Sequence, residues 1–290
     1  MTLKQKLARL KKIILKYNSC LVAFSGGVDS TLLLKVTSLV LPKDRILAVT
    51  AYSPTYPKEE LLNSQDIARR IGIRHKVIKT YELKDKRFVS NPVNRCYFCK
   101  SELFSRLKDI ASKSRLNFVL DGSSASDKSD FRPGNIARQE LRICSPLAEA
   151  GFTKGDIRRL SRSLGLGTWD KPSLACLASR IPYGMRISSG LLKRVNQAET
   201  YLRKLGFKQV RLRHYNGLCR IEVAKDDIRR LVSRRNRVID KLKRIGYNYI
   251  TIDLEGYRTG SMNPVRSKLP KVTATPSVWT SNGVNEVIKQ

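Results

Sequence analysis

The chain has 290 residues, room for two domains. Its 41% hydrophobic content supports a packed core, and no apolar run approaches the length needed to cross a bilayer, which excludes a membrane-spanning helix. Charge is the unusual feature: 57 Lys and Arg against 24 Asp and Glu leave +33, a field suited to nucleic acid or to small substrates bearing phosphate, although a solvated basic surface accounts for the same numbers. No signal peptide is apparent, so a cytoplasmic protein is expected, and its six cysteines are expected to be metal-binding, catalytic or buried rather than disulfide-bonded.

Residues 3–17 space Leu3, Leu7, Leu10, Ile14 and Tyr17 as the apolar stripe of a helix. The run Cys20-Leu21-Val22-Ala23-Phe24 reads as a strand. It leads through Ser25-Gly26-Gly27-Val28-Asp29-Ser30 into a helical run starting at Thr31. A second strand is expected at 46–51, and a helix from Pro57 to Ile71 stopped by Gly72. A third strand follows at 75–80, a helix at 100–112 and a fourth strand at 117–120. Strands alternating with helices predict a doubly wound parallel α/β sheet, with ligands at the carboxyl ends of its strands. The glycine turn, Thr50-Ala51-Tyr52 and Asp121-Gly122-Ser123 fall at those ends.

Residues 123–135 read as a loop over the site, 154–164 as a short helix and 165–187 as a long irregular segment. Beyond Ser188 the pattern becomes helix, strand, strand, helix, strand, predicting a second, smaller α+β domain with an antiparallel sheet. A hairpin turns at Asn216-Gly217, and one long helix runs from Asp226 through Leu242. The divisions are 1–165, 166–187 as active-site segment and linker, 188–263, and a disordered tail at 264–290 rich in Ser, Thr, Pro and Lys. The Lys and Arg residues between Asp226 and Arg244 read as a solvated helix face.

The turn at Ser25–Ser30 carries the first chemistry. Strand, glycine turn and helix N-terminus present backbone N–H groups and the positive helix end to one point, and glycine lets the backbone approach a phosphate. The Ser25 and Ser30 hydroxyls can donate to phosphate oxygens, and Asp29 can hold magnesium. No Gly-Lys-Ser follows, so this is not a Walker A loop. The string SGGVDS resembles the pyrophosphate loop of ATP pyrophosphatases, the PP-loop superfamily with its adenine nucleotide alpha hydrolase-like fold. That resemblance implies ATP cleavage to AMP and pyrophosphate.

Sulfur chemistry comes next. Cys96 and Cys99 form a CxxC, and Cys176 lies in the irregular segment. A CxxC alone fits half a zinc site, a redox pair or two core residues. Cys144, Cys219, His75 and His214 are the other ligand types present, without paired spacing. Three thiolates suit a 4Fe-4S cluster with one iron open. Cys20, Cys144 and Cys219 sit in or beside apolar runs and are expected in the core. Arg211 and Arg213 alternate on one strand and so share a face, an arrangement suited to a phosphate; Glu222 on the paired strand is placed to orient one of them or to meet a ribose.

The runs NRCYFCKSELF, DGSSASDKSDFRPG, SPLAEAGFTKGDIRRLSRSLGLGTWD, KPSLACLASRIPYG and GYRTGSMN together resemble the LarE family, over about residues 3–263. These are the ATP-dependent sulfur transferases of nickel-pincer cofactor maturation. The resemblance implies a pyridinium mononucleotide whose two carboxylates are adenylated and converted to thiocarboxylates. The sulfur comes from Cys176 itself or from sulfide relayed on a 4Fe-4S cluster held by Cys96, Cys99 and Cys176, the form that the three cysteines favour. It further implies ATP and magnesium as cofactors, a sulfide donor, cofactor-pathway partner proteins and a homo-oligomer. Arg180, four residues beyond Cys176, is expected to support its thiolate or hold a phosphate; Glu199 joins Arg211, Arg213 and Glu222 as a substrate-site candidate, and Asp127 and Arg132 are expected to close over ATP. Two other functions fit parts of the pattern: a tRNA thiolase of the same superfamily, and a non-catalytic nucleic-acid-binding protein.

Overall fold

The computed structural model describes residues 1–129, 133–172 and 175–262. Arg132 and the expected tail at 264–290 lie outside the described residues. In chain order the first part runs α1 (Leu3–Leu15), β1 (Cys20–Ala23), α2 (Val28–Ser38), β2 (Ile46–Tyr52), α3 (Lys58–Ile71), β3 (Arg74–Lys79), α4 (Lys86–Val89), α5 (Arg95–Lys113), β4 (Phe118–Leu120), α6 (Gly134–Glu140), α7 (Pro146–Glu149) and α8 (Lys154–Ser163). The second runs α9 (Ser189–Lys204), β5 (Val210–Tyr215), β6 (Leu218–Val223), α10 (Ile228–Ser233), α11 (Arg235–Ile245) and β7 (Tyr249–Ile252).

The first four strands form one parallel sheet in the order β3-β2-β1-β4. Alternation along β1 and β2 explains how both faces are covered. Cys20, Val22 and Ala48 pack with α1, α2, α3 and α8, whereas Leu21 and Val49 pack with Phe104 and Leu107 of α5. The parallel α/β expectation therefore holds. Switching strand order at β1 leaves an opening above the carboxyl ends of β1 and β4, where the glycine turn lies.

The smaller sheet is β5-β6-β7. It departs from the expected antiparallel sheet: β5 and β6 are antiparallel, but β7 pairs parallel to β6. The helices between β6 and β7 provide the crossover that parallel pairing needs. The long helix expected from Asp226 is broken into α10 and α11 at Arg234, whose guanidinium donates to the Leu205 carbonyl just beyond α9. Apolar spacing continues through that break, which is why periodicity did not mark it. The helix expected from Lys100 begins at Arg95, so both cysteines of the CxxC lie on its first turns.

The cysteine-bearing segments are joined by Asn91. It is fully buried at φ 58°, and its side chain donates to the carbonyls of Pro182 (2.6 Å) and Met185 (2.9 Å). Its own carbonyl accepts from Gly184, and its Oδ1 accepts from Arg95. Asparagine tolerates the left-handed backbone better than most residues. Asn91→Ala is expected to destabilise the protein by about 2–4 kcal/mol, combining an alanine in that conformation with orphaned buried carbonyls. Urea denaturation checks this; a midpoint equal to wild type would remove Asn91 as the joint.

Candidate functional site

One cavity of about 680 Å³ opens above the parallel sheet and reaches the smaller one. Its lining brings together Ser25, Gly27, Asp29, Ser30, Ala51, Asp121, Gly122 and Asp127 with Cys96, Cys99, Cys176, Arg211 and Arg213. Residues far apart in the chain thus share one wall, in the size range of small-molecule sites.

At the phosphate-loop end, α2 begins with Gly27 as its N-cap and no side chain caps it. The first-turn N–H groups of an eleven-residue helix therefore point outward, and an ordinary serine-capped corner is excluded. The Ser25 and Ser30 hydroxyls hydrogen-bond each other at 3.1 Å. Gly26 takes φ 63° and its carbonyl accepts from Lys171 at 3.1 Å. Gly122 is required by contact: a Cβ there would stand 3.0 Å from the Ser30 nitrogen. Asp121 is held by Ser123 and Ser145, and Asp127 accepts from the Ser124 N–H at 2.7 Å. Asp29 pairs through one oxygen with Lys154, while its other oxygen is buried without a partner among the described residues. Burial raises the Asp29 carboxyl and Lys154 opposes the rise.

Several expected residues stand behind the wall rather than on it. Thr50 is buried, donating to the Phe24 carbonyl and meeting His75, and Gly26, Val28 and Tyr52 are likewise absent from the lining. Arg180 is 1% exposed and does not reach the cavity. Its Nη1 donates to the carbonyls of Ala175 (2.7 Å) and Cys176 (3.0 Å), while Nε and Nη2 grip Glu199 at 2.8 and 3.0 Å. Glu199 is fully buried, also receiving Arg203 and the Leu212 N–H. Instead of an exposed or substrate-facing carboxylate, Glu199 anchors the turn that carries Cys176. Burial acts to raise its carboxyl, but the charges of Arg180 and then Arg203 more than offset this and hold it below the ordinary 4.5.

Arg211 and Arg213 do share a face and do line the cavity. Burial, followed by the positive charge of Arg180, pushes Arg211 down to about 10. Arg213 is fixed by Glu222 at 3.0 and 2.7 Å and donates to the Ser179 carbonyl at 3.0 Å. Glu222 is fully buried, so it orients Arg213 rather than meeting a ligand. Cys96 and Cys176 are exposed and Cys99 is partly buried. Burial, then Cys176, pushes the Cys99 thiol up. Among the described residues no three His, Cys, Asp or Glu side chains stand gathered as a metal site. The three thiols share the wall without being assembled as ligands.

Sequence reasoning missed Lys154, Lys171 and Glu82. Lys154 follows a capping box, Thr153 with Asp156, that marks a helix start but not the direction of the lysine into the Asp29 pocket. Lys171 links the Gly26 carbonyl to Glu60 at 2.6 Å, a contact between segments distant in sequence.

Two outcomes follow. Alkylation of the native protein at pH 8 should label Cys96 and Cys176 first and Cys99 later. Cys20 and Cys219 should stay protected until unfolding, because burial pushes both thiols to about 12. Peptide mass spectrometry reads the order, and early labelling of Cys219 would contradict it. Glu199→Ala should cost about 3–5 kcal/mol at pH 7 by leaving Arg180 buried and unpaired. The folded-state value of Glu199 is depressed, so its contribution is present above 4.5 and lost as pH falls through the folded value. The gap to wild type should therefore narrow on acidification below 4.5, as followed by chemical denaturation across pH.

No family model matches the chain. A pyridinium-3,5-bisthiocarboxylic acid mononucleotide synthase from Lactiplantibacillus plantarum is 38% identical over 272 residues, covering 94% of this chain and 99% of that protein. An uncharacterized protein of Synechocystis is 42% identical over 92% of this chain and all of its own length. An uncharacterized protein of Methanocaldococcus jannaschii is 30% identical over 89% of this chain, again over its whole length. With this identity along nearly the whole chain, and with the glycine turn and Cys176 on one cavity wall, the chain belongs to the LarE family of sulfur transferases.

Proposed function

We propose that this sulfur transferase uses ATP to adenylate the carboxylates of a pyridinium-3,5-biscarboxylic acid mononucleotide and replaces the adenylate with sulfur delivered at Cys176. The observation that carries the reading is the shared cavity: an uncapped helix N-terminus and a cysteine face the same space. A carboxylate is a poor electrophile, and adenylation supplies a leaving group. The N–H groups at the start of α2, with Lys154, stabilise the charge on departing pyrophosphate. Asp29 fits magnesium because its second oxygen is buried and has no partner among the described residues; it would hold the ion, with Asp127 nearby, and magnesium there would supply charge neutralisation of the phosphates. Arg211 and Arg213 bind the mononucleotide phosphate. Arg180 and Glu199 position the Cys176 turn.

Sulfur leaves either as the Cys176 sulfur, with dehydroalanine remaining, or as sulfide relayed with Cys96 and Cys99. The common wall of the three thiols favours the relay, and these residues would hold a 4Fe-4S cluster as a sulfide carrier. Gathering them as ligands requires side-chain movement from the positions described, since they are not assembled. On this reading residues 1–165 activate, 166–187 carry the cysteine and 188–263 bind the mononucleotide. No helix among the described residues is long and apolar enough to cross a membrane.

Asp29→Asn should lower pyrophosphate release by about 10²–10³-fold with ATP and the mononucleotide. Cys176→Ala should keep substrate-dependent pyrophosphate release while forming no thiocarboxylate. Pyrophosphate assay and product mass spectrometry check both, and thiocarboxylate formed by Cys176→Ala would sink the assignment. Anaerobic iron content and the mass of the Cys176 peptide after turnover separate relay from sacrifice. Loss of a tRNA thionucleoside on gene deletion would instead favour a tRNA thiolase.

A further inference from the structure

Glu82 has no part in the chemistry above, yet it lines the same cavity and is 3% exposed. One of its oxygens accepts from the hydroxyls of Ser53 and Thr55, the latter at 2.7 Å. The other oxygen is buried with no hydrogen-bond partner among the described residues. The Ser53–Thr55 turn is explained by the first oxygen alone. A buried carboxylate oxygen without a donor is costly, and its complement is a cation or a hydrogen-bond donor brought by a ligand.

Its place in the cavity narrows the choice. Glu82 lies at the sulfur end: its charge acts on the Cys99 thiol, and the Thr55 carbonyl beside it accepts the Leu177 N–H at 3.0 Å, one residue past Cys176. The cavity wall also carries the cations Lys100, Arg211 and Arg213, with Lys154 at the phosphate-loop end. Those residues suit phosphates and carboxylates, which Glu82 repels. On the sulfur-transfer reading, a ligand whose carboxylate reaches Cys176 has its ring in the cavity that Glu82 also lines.

We propose that Glu82 is a specificity residue that selects a positively charged aromatic ring, the pyridinium, over a neutral ring of nearly the same size. This rests on the sulfur-transfer reading for where the ring lies. A fixed carboxylate close to a ring cation in a partly desolvated cavity discriminates by charge, a larger difference between an oxidised and a reduced nicotinate ring than the one added hydrogen at C4 makes in shape.

The test is calorimetric titration of the full chain with nicotinic acid mononucleotide, whose ring is cationic, and with its 1,4-dihydro form, whose ring is neutral. Wild type should bind the cationic form at least about tenfold more tightly. Glu82→Gln should bring the two affinities within about twofold while ATP affinity and melting temperature hold. Thr55→Val removes a hydroxyl donor but keeps the carboxylate, and should retain the preference. Equal affinity of wild type for both forms overturns the inference alone, whether or not Glu82→Gln folds. A preference that survives in Glu82→Gln, or vanishes in Thr55→Val, also overturns it. Binding of neither form overturns the inference together with the substrate reading on which it rests.

Discussion

The buried ion pair between Arg180 and Glu199 holds the site together. Two charges removed from water are tolerated only when their polar atoms are satisfied. Here Glu199 uses both oxygens, on Arg180, Arg203 and the Leu212 N–H, and Arg180 spends its remaining nitrogen on the Ala175 and Cys176 carbonyls. The pair is therefore a rivet rather than a surface contact. It fastens the turn bearing Cys176 to α9 and β5, and the neighbouring Arg213, set by Glu222, donates to the Ser179 carbonyl on the same turn. The cysteine and the two arginines of the cavity wall are placed by one connected set of bonds.

The other end of the segment is fastened to the phosphate loop. Lys171 reaches the Gly26 carbonyl and Glu60, and Arg158 holds the carbonyls of Trp169 and Lys171. Lys171 is thus tied to the glycine turn and Arg180 to α9, with Leu177 donating to Thr55. Irregular backbone of this length persists in a compact protein when side chains rather than a ladder satisfy it. Asn91 adds the third tie, from the approach to the CxxC helix. Dependence on long-range side-chain bonds makes relative placement of the thiols sensitive to single substitutions far from any ligand.

Much of this was readable locally. The four parallel strands follow from apolar runs separated by helical ones, and the glycine turn follows from Ser25–Ser30 between a strand and a helix. Alternation put Arg211 and Arg213 on one face. Errors arose where a tertiary bond overrode a local pattern. The helix breaks at Arg234, whose guanidinium reaches Leu205, although the apolar stripe runs on, and β7 adds to β6 in parallel although its neighbours form a hairpin. Glu199 sits on an amphipathic helix where a carboxylate usually faces water; only its three partners explain its burial.

Short-range pattern by itself determined the α/β class, the anion-binding turn and the residue types available for sulfur chemistry, because strand and helix periods and glycine conformations are properties of a few adjacent residues. Tertiary structure alone decided which of those residues face the ligand. Arg180, Glu199 and Glu222 became supports, whereas Lys154 and Glu82 became cavity wall. A charged side chain carries no local signal of its partner. Whether it meets solvent, a ligand or another charge depends on what the fold brings opposite it, and that is set by contacts between segments tens of residues apart.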